Sequence, residues 1–474
     1  MIPGAAQIGD EIRITIGRTR EDYQNFILCK RLPCYRVEGR AIWTDLVSYQ
    51  SVFGGGLEVP DISGEAPHLM KFQRDLVERA LSRRRFAMFA DCGLGKTPMG
   101  LAWALHVAQA GKVLILVPLA VFTQWKREAK RWHNLTLTDL RAREEWTDGI
   151  AILNWEANRE IDMSGVTGIV LDESSILKNS SGKTKKWLVE LARGIPYRLA
   201  LSATPAPNDH FEYACHATWL GFSRTEKEFA SKYFKKDGIR WKLRGHAKGP
   251  FYKNLSIWAT YIHSPRSLGY ADTTEMEMEP SYLYKRVSVH DGWRSKSGEL
   301  FGSAALGVDR SGIMGEMRSC AGPRMQAIVD YSRGKRLIVW VGRNAEETAI
   351  ARALRATGAS VAVLNGNTPI EDRIAQIDAY RAGSVDHIIS KPRVMGWGVN
   401  LPECDHMVYS GFNYSFEETY QAIRRAHRYG RQGRLGVMFP YTDPEAAILT
   451  RLREKMDRFQ EDVRVMQSRF WTKT

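Results

Sequence analysis

The chain has 474 residues, 44% hydrophobic and 26% charged, a balance that excludes a disordered or fibrous protein, and its length asks for two or three cores rather than one. Lys and Arg outnumber Asp and Glu by 68 to 53, a formal charge of +15, so the expected partner is an anion, with nucleic acid ahead of a membrane surface. The longest apolar stretch, Val113 to Phe122, is about half of what a membrane span needs, and "MIPGAAQIGDEIR" lacks the basic-then-apolar order of a signal peptide. Six scattered cysteines fit reduced thiols, and the expectation is a cytoplasmic protein without a membrane partner.

Residues 1–66 read as a small accessory module with one strand, "EIRITI", and the glycines at 54–56 as a hinge to the rest of the chain. From residue 67 short apolar runs, "RFAMFA", "KVLILVP", "GIAILNW" and "GIVLDE", alternate with helical patterns, as buried parallel strands do. A first α/β domain is therefore expected over 67–206. Residues 207–331 lose that alternation and become basic, aromatic and glycine-broken. A second series, "KRLIVWVG", "ASVAVLNG", "VDHIISKP", "DHMVYSG" and "RLGVMFPY", predicts another α/β domain over 332–461, with a tail at 462–474. The fold class is α/β: two parallel-sheet lobes in tandem, a mainly helical basic insertion between them, and the small N-terminal module.

Residues 88–100, "MFADCGLGKTPMG", put a glycine turn between a strand and a helix. Exposed backbone N–H groups and the helix dipole favour an anion there. Gly93, Leu94 and Gly95 would let the backbone approach phosphate oxygens, Lys96 would reach the β- and γ-phosphates of ATP, and the Thr97 hydroxyl would ligate Mg²⁺. The first position of the motif, usually glycine, is Ala90. Such a loop requires an acid at the tip of a neighbouring strand, and "GIVLDESSILKN" supplies Asp172 to hold Mg²⁺ through water and Glu173 to polarise the attacking water. Further on, residues 224–253 interleave Lys and Arg with Phe, Tyr and Trp. The basic groups there, including Lys235, Lys236, Arg240 and Lys242, can track phosphates. The aromatics either stack on unpaired bases or form a small core while the charges face water.

In order, "GLGKT", "DESS", "SATP" and "QAIRRAHRYG" resemble helicase superfamily two, and within it the Swi/Snf-like ATPases, while "YQNFILCKR", "FQRDLVERAL", "FADCGLGKTPM" and "SKPRVMGWGVNL" resemble most closely its compact phage and prophage members. "PLAVFTQWKREAKRW", "LSATPAPND" and "GWGVNLPECDHMVYSGFNYSFEETYQAIRRAHRYGRQ" resemble further signatures of that family, over roughly residues 67–206 and 332–455. The resemblance implies two RecA-like lobes with ATP and Mg²⁺ in the cleft and double-stranded DNA across both. It assigns Gln73 to the adenine edge, Ser202 and Thr204 to coupling hydrolysis to lobe movement, and Gly398, Asn400 and Leu401 to a loop near nucleotide and DNA. Gln124, Lys126 and Arg127 fall where the family grips a strand backbone, and Lys178 is a further nucleic-acid candidate. Gln421, Arg425 and Arg428 match the final motif, and on one helix "FEETYQAIRRAHRYG" they share a face by i+4 and i+3 spacing, the two arginines reaching the departing γ-phosphate. Two departures stand out: Ser175 replaces the family's histidine, and Arg431 stands where the family's last glycine is usually succeeded by a glutamine.

The expected activity is a DNA-stimulated ATPase that moves along double-stranded DNA, in phage DNA metabolism or phage–host conflict and in the bacterial host cytoplasm if phage-encoded. Two alternatives stay open: a strand-separating or branch-migrating helicase acting on single-stranded or branched DNA, and an ATP-gated DNA-binding sensor that recruits a protein partner through residues 1–66.

Overall fold

A computed structural model of the chain describes residues 4–8, 11–32, 35–54, 58–178, 182–238, 240–270, 279–287, 321–395, 401–411, 415–428, 431, 433–442 and 445–469. They form two compact units, Met1–Asp272 with Phe459–Thr474, and Thr273–Arg458.

The N-terminal module has four strands where the sequence suggested one. β1 (Ala5–Ile8), β2 (Glu11–Thr15), β3 (Arg36–Glu38) and β4 (Ala41–Asp45) form an antiparallel sheet ordered β1-β2-β4-β3. Strict alternation in β2 buries Ile12 and Ile14 beside Ile42, Cys29 and Tyr49 and turns Glu11 and Arg13 to the other face. The missed strands are three to five residues long and mostly polar on one side, so no apolar run marks them. The glycine hinge falls partly outside the described residues.

The first lobe is a seven-stranded, wholly parallel sheet. Its strands are β5 (Arg85–Ala90), β6 (Lys112–Val117), β7 (Thr138–Asp139), β8 (Ile150–Asn154), β9 (Val166–Leu171), β10 (Tyr197–Ser202) and β13 (Ala259–Ile262), ordered β13-β5-β10-β9-β6-β8-β7. Helices cover both faces, which is why β5, β6 and β8 read as unbroken apolar runs. Helix Lys96–Val107 packs close to helix Phe122–His133 because residue 100 is glycine: a Cβ there would sit 2.6 Å from the Trp125 ring.

The expected boundary at 206 shifts. Beyond it, helices Glu212–Leu220, Glu226–Tyr233 and Lys248–Trp258 and a hairpin of β11 (Phe234–Asp237) and β12 (Arg240–Leu243) lead back into the same sheet through β13, which pairs with β5. The tail expected at 462–474 is also different, because helix Ala446–Gln467 crosses that boundary. From Phe459 onward it belongs to the first unit, where buried Asp462 accepts hydrogen bonds from His210 Nε2 (2.8 Å), Tyr213 OH (3.0 Å) and Tyr252 OH.

The second unit is a six-stranded parallel sheet of β14 (Ser281–Arg286), β15 (Leu337–Trp340), β16 (Val361–Leu364), β17 (His387–Ser390), β18 (His406–Tyr409) and β19 (Gly436–Tyr441), ordered β14-β19-β18-β15-β17-β16. Its core gathers Ile328, Leu337, Val339, Ile389, Val408 and Met438. β14 comes from the stretch read as insertion. The α/β class with two parallel-sheet lobes is thus observed directly. No helix among the described residues is long and apolar enough to cross a membrane.

Replacing Asp462 by alanine strands two tyrosine hydroxyls and His210 without their acceptor. The expected loss is about 2–4 kcal/mol of first-unit stability, read as a lower urea midpoint with little change of slope.

Candidate functional site

Three loops leave adjacent strands of the first sheet at their carboxyl ends, the edge where parallel α/β sheets carry ligands. β5 leads into residues 91–95, β10 into Ser202–Thr204 and β9 into Asp172 and Glu173. Gly93 (φ 89°) and Gly95 (φ 81°) adopt left-handed conformations, and helix Lys96–Val107 starts immediately after the second. The Lys96 ammonium folds over the loop and donates to the carbonyls of Ala90 (2.9 Å) and Asp91 (3.3 Å). Thr97 is the second residue of the same helix.

Gln73 is buried against this loop. Its Oε1 accepts from Met70 N (2.9 Å) and its Nε2 donates to Leu94 O (3.0 Å), and a Cβ on Gly95 would lie 2.3 Å from that nitrogen. The amide keeps a second donor and further acceptor capacity beyond these bonds. Asp91, which sequence reasoning passed over, is buried too: it accepts from Cys92 N (2.7 Å) and pairs with His263 Nδ1 (2.8 Å) just after β13. No local pattern could reveal that pairing, because its partner lies 172 positions away.

Asp172 is buried, and Trp125 Nε1 donates to its Oδ2 at 2.9 Å. Burial raises its carboxyl above the usual carboxylate range, opposed by the Trp125 hydrogen bond, the Lys96 charge and the Glu173 N–H. Lys96 is thus near enough to Asp172 for its charge to act there. The next residue, Glu173, holds φ at 48°, a strained conformation of the kind found where function fixes a side chain. Ser174 Oγ meets His216 Nε2 at 3.1 Å, and burial pushes that imidazole down to about 4, so it is neutral near pH 7. Thr204 and Ser202 are both fully buried, joined by a 3.1 Å bond from Thr204 N to Ser202 Oγ. Trp125 packs between helices, and its indole N–H also holds the acid. A buried indole needs an acceptor, but the sequence alone does not say which.

Among the described residues no three His, Cys, Asp or Glu side chains cluster as a metal cage. Magnesium held by one or two protein oxygens plus phosphates needs none, and Thr97 and Asp172 offer oxygen donors of that kind.

In the second unit Gly398 and Asn400 lie outside the described residues. The helix expected to run through Arg428 ends instead at Ile423: Gln421 is on it, half-buried, while Arg425 and Arg428 occupy the turns after it. The backbone tightens there through i→i−3 bonds at Arg425 and Ala426, and the Arg425 carbonyl accepts from Leu401 N (2.9 Å) rather than from its own helix. The single face proposed for Gln421, Arg425 and Arg428 is therefore not helical. Arg424 is buried beside the Tyr420 ring and His427. Arg431 explains its departure from the family pattern. Its buried guanidinium donates to the carbonyls of Pro402 and Cys404 and to Asp405 Oδ1 (2.8 Å), tying the final motif to the segment after the glycine loop.

Of the residues expected to meet nucleic acid, Gln124 bonds Glu128 Oε1 (2.7 Å) and Lys126 pairs with Asp139 (2.7 Å). Lys178 is half-buried, with its charge felt by Glu212. On the β11–β12 hairpin Lys235, Lys236 and Lys242 are exposed; Arg240 sits on β12, and its side chain is outside the described residues. The aromatics beside them form a core: Phe234 meets Phe251 at 5.6 Å, and Trp241 stacks on Phe211 at 5.9 Å.

A glycine turn leading into Lys96, buried Asp172 followed by Glu173, and a Ser–Thr strand end on adjacent parallel strands give the first lobe the form of a phosphate-loop α/β domain. Residues 72–227 match the SNF2-related domain and residues 323–430 the helicase conserved C-terminal domain, together more than half of the chain. The chain carries an SNF2-related domain followed by a helicase conserved C-terminal domain, which supports a place among the ATP-dependent helicases of superfamily two. It is similar to the uncharacterized ATP-dependent helicase YqhH of Bacillus subtilis, 23% identical over 450 residues, covering 84% of this chain and 79% of YqhH. It is also similar to the DNA annealing helicase and endonuclease ZRANB3 of Mus musculus, 20% identical over 77% of this chain but only 37% of that protein. Among solved structures, the SWI2/SNF2 ATPase core of Sulfolobus solfataricus in complex with dsDNA aligns over 84% of this chain and 93% of that one, with a TM-score of 0.41 and 18% identity.

Removing the Trp125 indole removes a hydrogen bond that favours ionised Asp172. Because burial already raises this carboxyl, Trp125→Phe is expected to move the acid limb of ATP turnover upward by about one pH unit, seen in the pH profile of kcat.

Proposed function

We propose that the protein is a DNA-stimulated ATPase that translocates along double-stranded DNA. The observation that carries this reading is the convergence, at one edge of one sheet, of the phosphate loop, Lys96, buried Asp172 and strained Glu173. Gly93, Leu94, Gly95 and Lys96 cradle the triphosphate of ATP, and Gln73, already bonded to the loop, uses its spare amide capacity on the adenine. Thr97 and Asp172 would hold Mg²⁺, which supplies charge neutralisation on the phosphates when bound. Glu173 accepts the proton of the attacking water. Lys96, which in this structure bonds its own loop carbonyls, is positioned to exchange them for phosphate oxygens. To Arg425 and Arg428 we assign stabilisation of charge on the departing phosphate, and to Ser202 and Thr204 the coupling of hydrolysis to movement.

Contact with DNA is assigned to the exposed lysines of the hairpin, with Arg240 beside them, and to Gln124, Lys126 and Lys178 in the first lobe. With their aromatic neighbours committed to a core, these groups serve phosphates rather than bases, which suits a duplex. The names of the relatives support DNA as the track. The role in phage DNA metabolism or phage–host conflict rests on the sequence resemblance alone.

ATP turnover measured with and without duplex DNA tests the reading. Stimulation of about tenfold or more is expected, and Lys96→Ala and Glu173→Gln should each lose at least about 10³-fold, with nucleotide binding retained in the second. Turnover persisting in both variants places the site elsewhere. Displacement of a triplex strand without separation of a duplex identifies a translocase, whereas duplex separation identifies an unwinding helicase. Neutralising Lys235, Lys236, Arg240 and Lys242 together is expected to weaken DNA binding and lower the slope of log K against log salt by about three to four, and an unchanged slope removes the hairpin from the interface.

A further inference from the structure

The amino ends of the first lobe's strands lie opposite the phosphate loop, and the N-terminal module packs near them. Arg85 opens β5 and Arg198 lies near the start of β10, directly opposite each other in the parallel register. Their guanidinium groups converge: a Cβ on Gly221 would sit 3.0 Å from Arg85 Nη1 and 3.1 Å from Arg198 Nη1. Arg198 is buried and donates to the carbonyls of Ile195 (2.9 Å) and Trp219 (2.7 Å). Among the described residues no carboxylate lies within 4 Å of either arginine. Burial, with the charge of Arg85 alongside, pushes the Arg198 guanidinium down to about 9. Two like charges side by side in a parallel sheet are unfavourable unless an anion joins them.

They line a cavity of about 410 Å³ closed on its other side by the module's sheet. The carboxylates around it are committed elsewhere: Glu11 to Arg36, Asp45 to the N-terminus of helix Leu46–Phe53 through Ser48, and Glu228 to Ser223 Oγ and Arg224 N. On the module side Trp43 lies between Arg13 and Arg36 on neighbouring strands, with the two guanidinium carbons 5.8 and 4.9 Å from its ring centroid. Lys232 lies 5.4 Å from the Tyr35 ring. Cations already sit against both rings, which favours a charged ligand over a stacked base.

We propose that this cavity is a second anion site, separate from the ATP loop, in which Arg85 and Arg198 bind a phosphate group between the N-terminal module and the first lobe. Paired guanidinium groups suit phosphate because each presents two N–H donors in a plane. The phosphate comes either from nucleic acid or from a free phosphorylated small molecule.

The test uses the full chain carrying Lys96→Ala, so that the first loop cannot account for binding, and titrates inorganic pyrophosphate by calorimetry. Saturable binding is expected, weakened about tenfold by adding Arg85→Gln, the effect of one charge-assisted contact, and only partly restored by Arg85→Lys, which returns the charge without the planar pair of donors. Should Arg85→Gln fail to fold, Arg193→Glu, at an exposed position on the cavity rim, is expected to weaken binding at least about threefold. No binding in the Lys96→Ala chain, or equal affinity in Arg85→Gln (or in Arg193→Glu where that replaces it), overturns the proposal. Duplex DNA that displaces pyrophosphate assigns the phosphate to nucleic acid, and failure to displace assigns it to a small molecule; both outcomes keep the site. Because the background lacks Lys96, this result does not depend on whether ATP drives translocation.

Discussion

Parallel pairing of β5, β10 and β9 is the constraint on which the first lobe's chemistry rests. Hydrogen-bonded neighbours of one direction must end at the same edge, so the loops after them meet there without any long-range design of the loops themselves. The chain exploits this by ending each strand on a different tool: a glycine turn with a lysine, a Ser–Thr pair and an Asp–Glu pair. β6, on the far side of β9, leads towards the helix whose Trp125 reaches back to Asp172. A sheet slipped by one strand would leave every one of these residues present and none of them together.

Burial then sets the charges. Asp172 leaves water almost completely, and its ionised form is held by an indole N–H, a backbone N–H and a lysine rather than by solvent. The imidazole of His216, enclosed beside Ser174, stays uncharged, so near neutral pH it adds no positive field to the acid pair. The charge balance around the acids therefore belongs to Lys96 and to whatever the loop binds.

Much of this was legible in the order of residues. The apolar runs that became β5, β6, β8 and β9 announce themselves because both faces of a parallel strand are covered, and the glycine loop lies at the strand–helix turn where its spacing placed it. What escaped has physical causes. β13 and β14 carry no local mark of the sheet they join, since strand order is a tertiary property. β3 and β4 are short and half polar. The arginine segment has good helix-forming residues, yet its carbonyl at Arg425 is claimed by Leu401, and tertiary bonding overrode local preference. Asp91–His263, Trp125–Asp172 and Ser174–His216 join residues 42 to 172 positions apart, beyond any periodic pattern.

The helix at Lys96–Val107 reaches the acid through the charge of its first residue and through Trp125 on the neighbouring helix, and its distance from that ring is fixed by the missing side chain at position 100. The spacing between two helices is thereby converted into proton affinity at a carboxylate neither of them carries. An added methyl group on Gly100 would be felt as chemistry as well as instability, and an alteration so remote from phosphate would pass for a mere packing change until the acidity of Asp172 was measured.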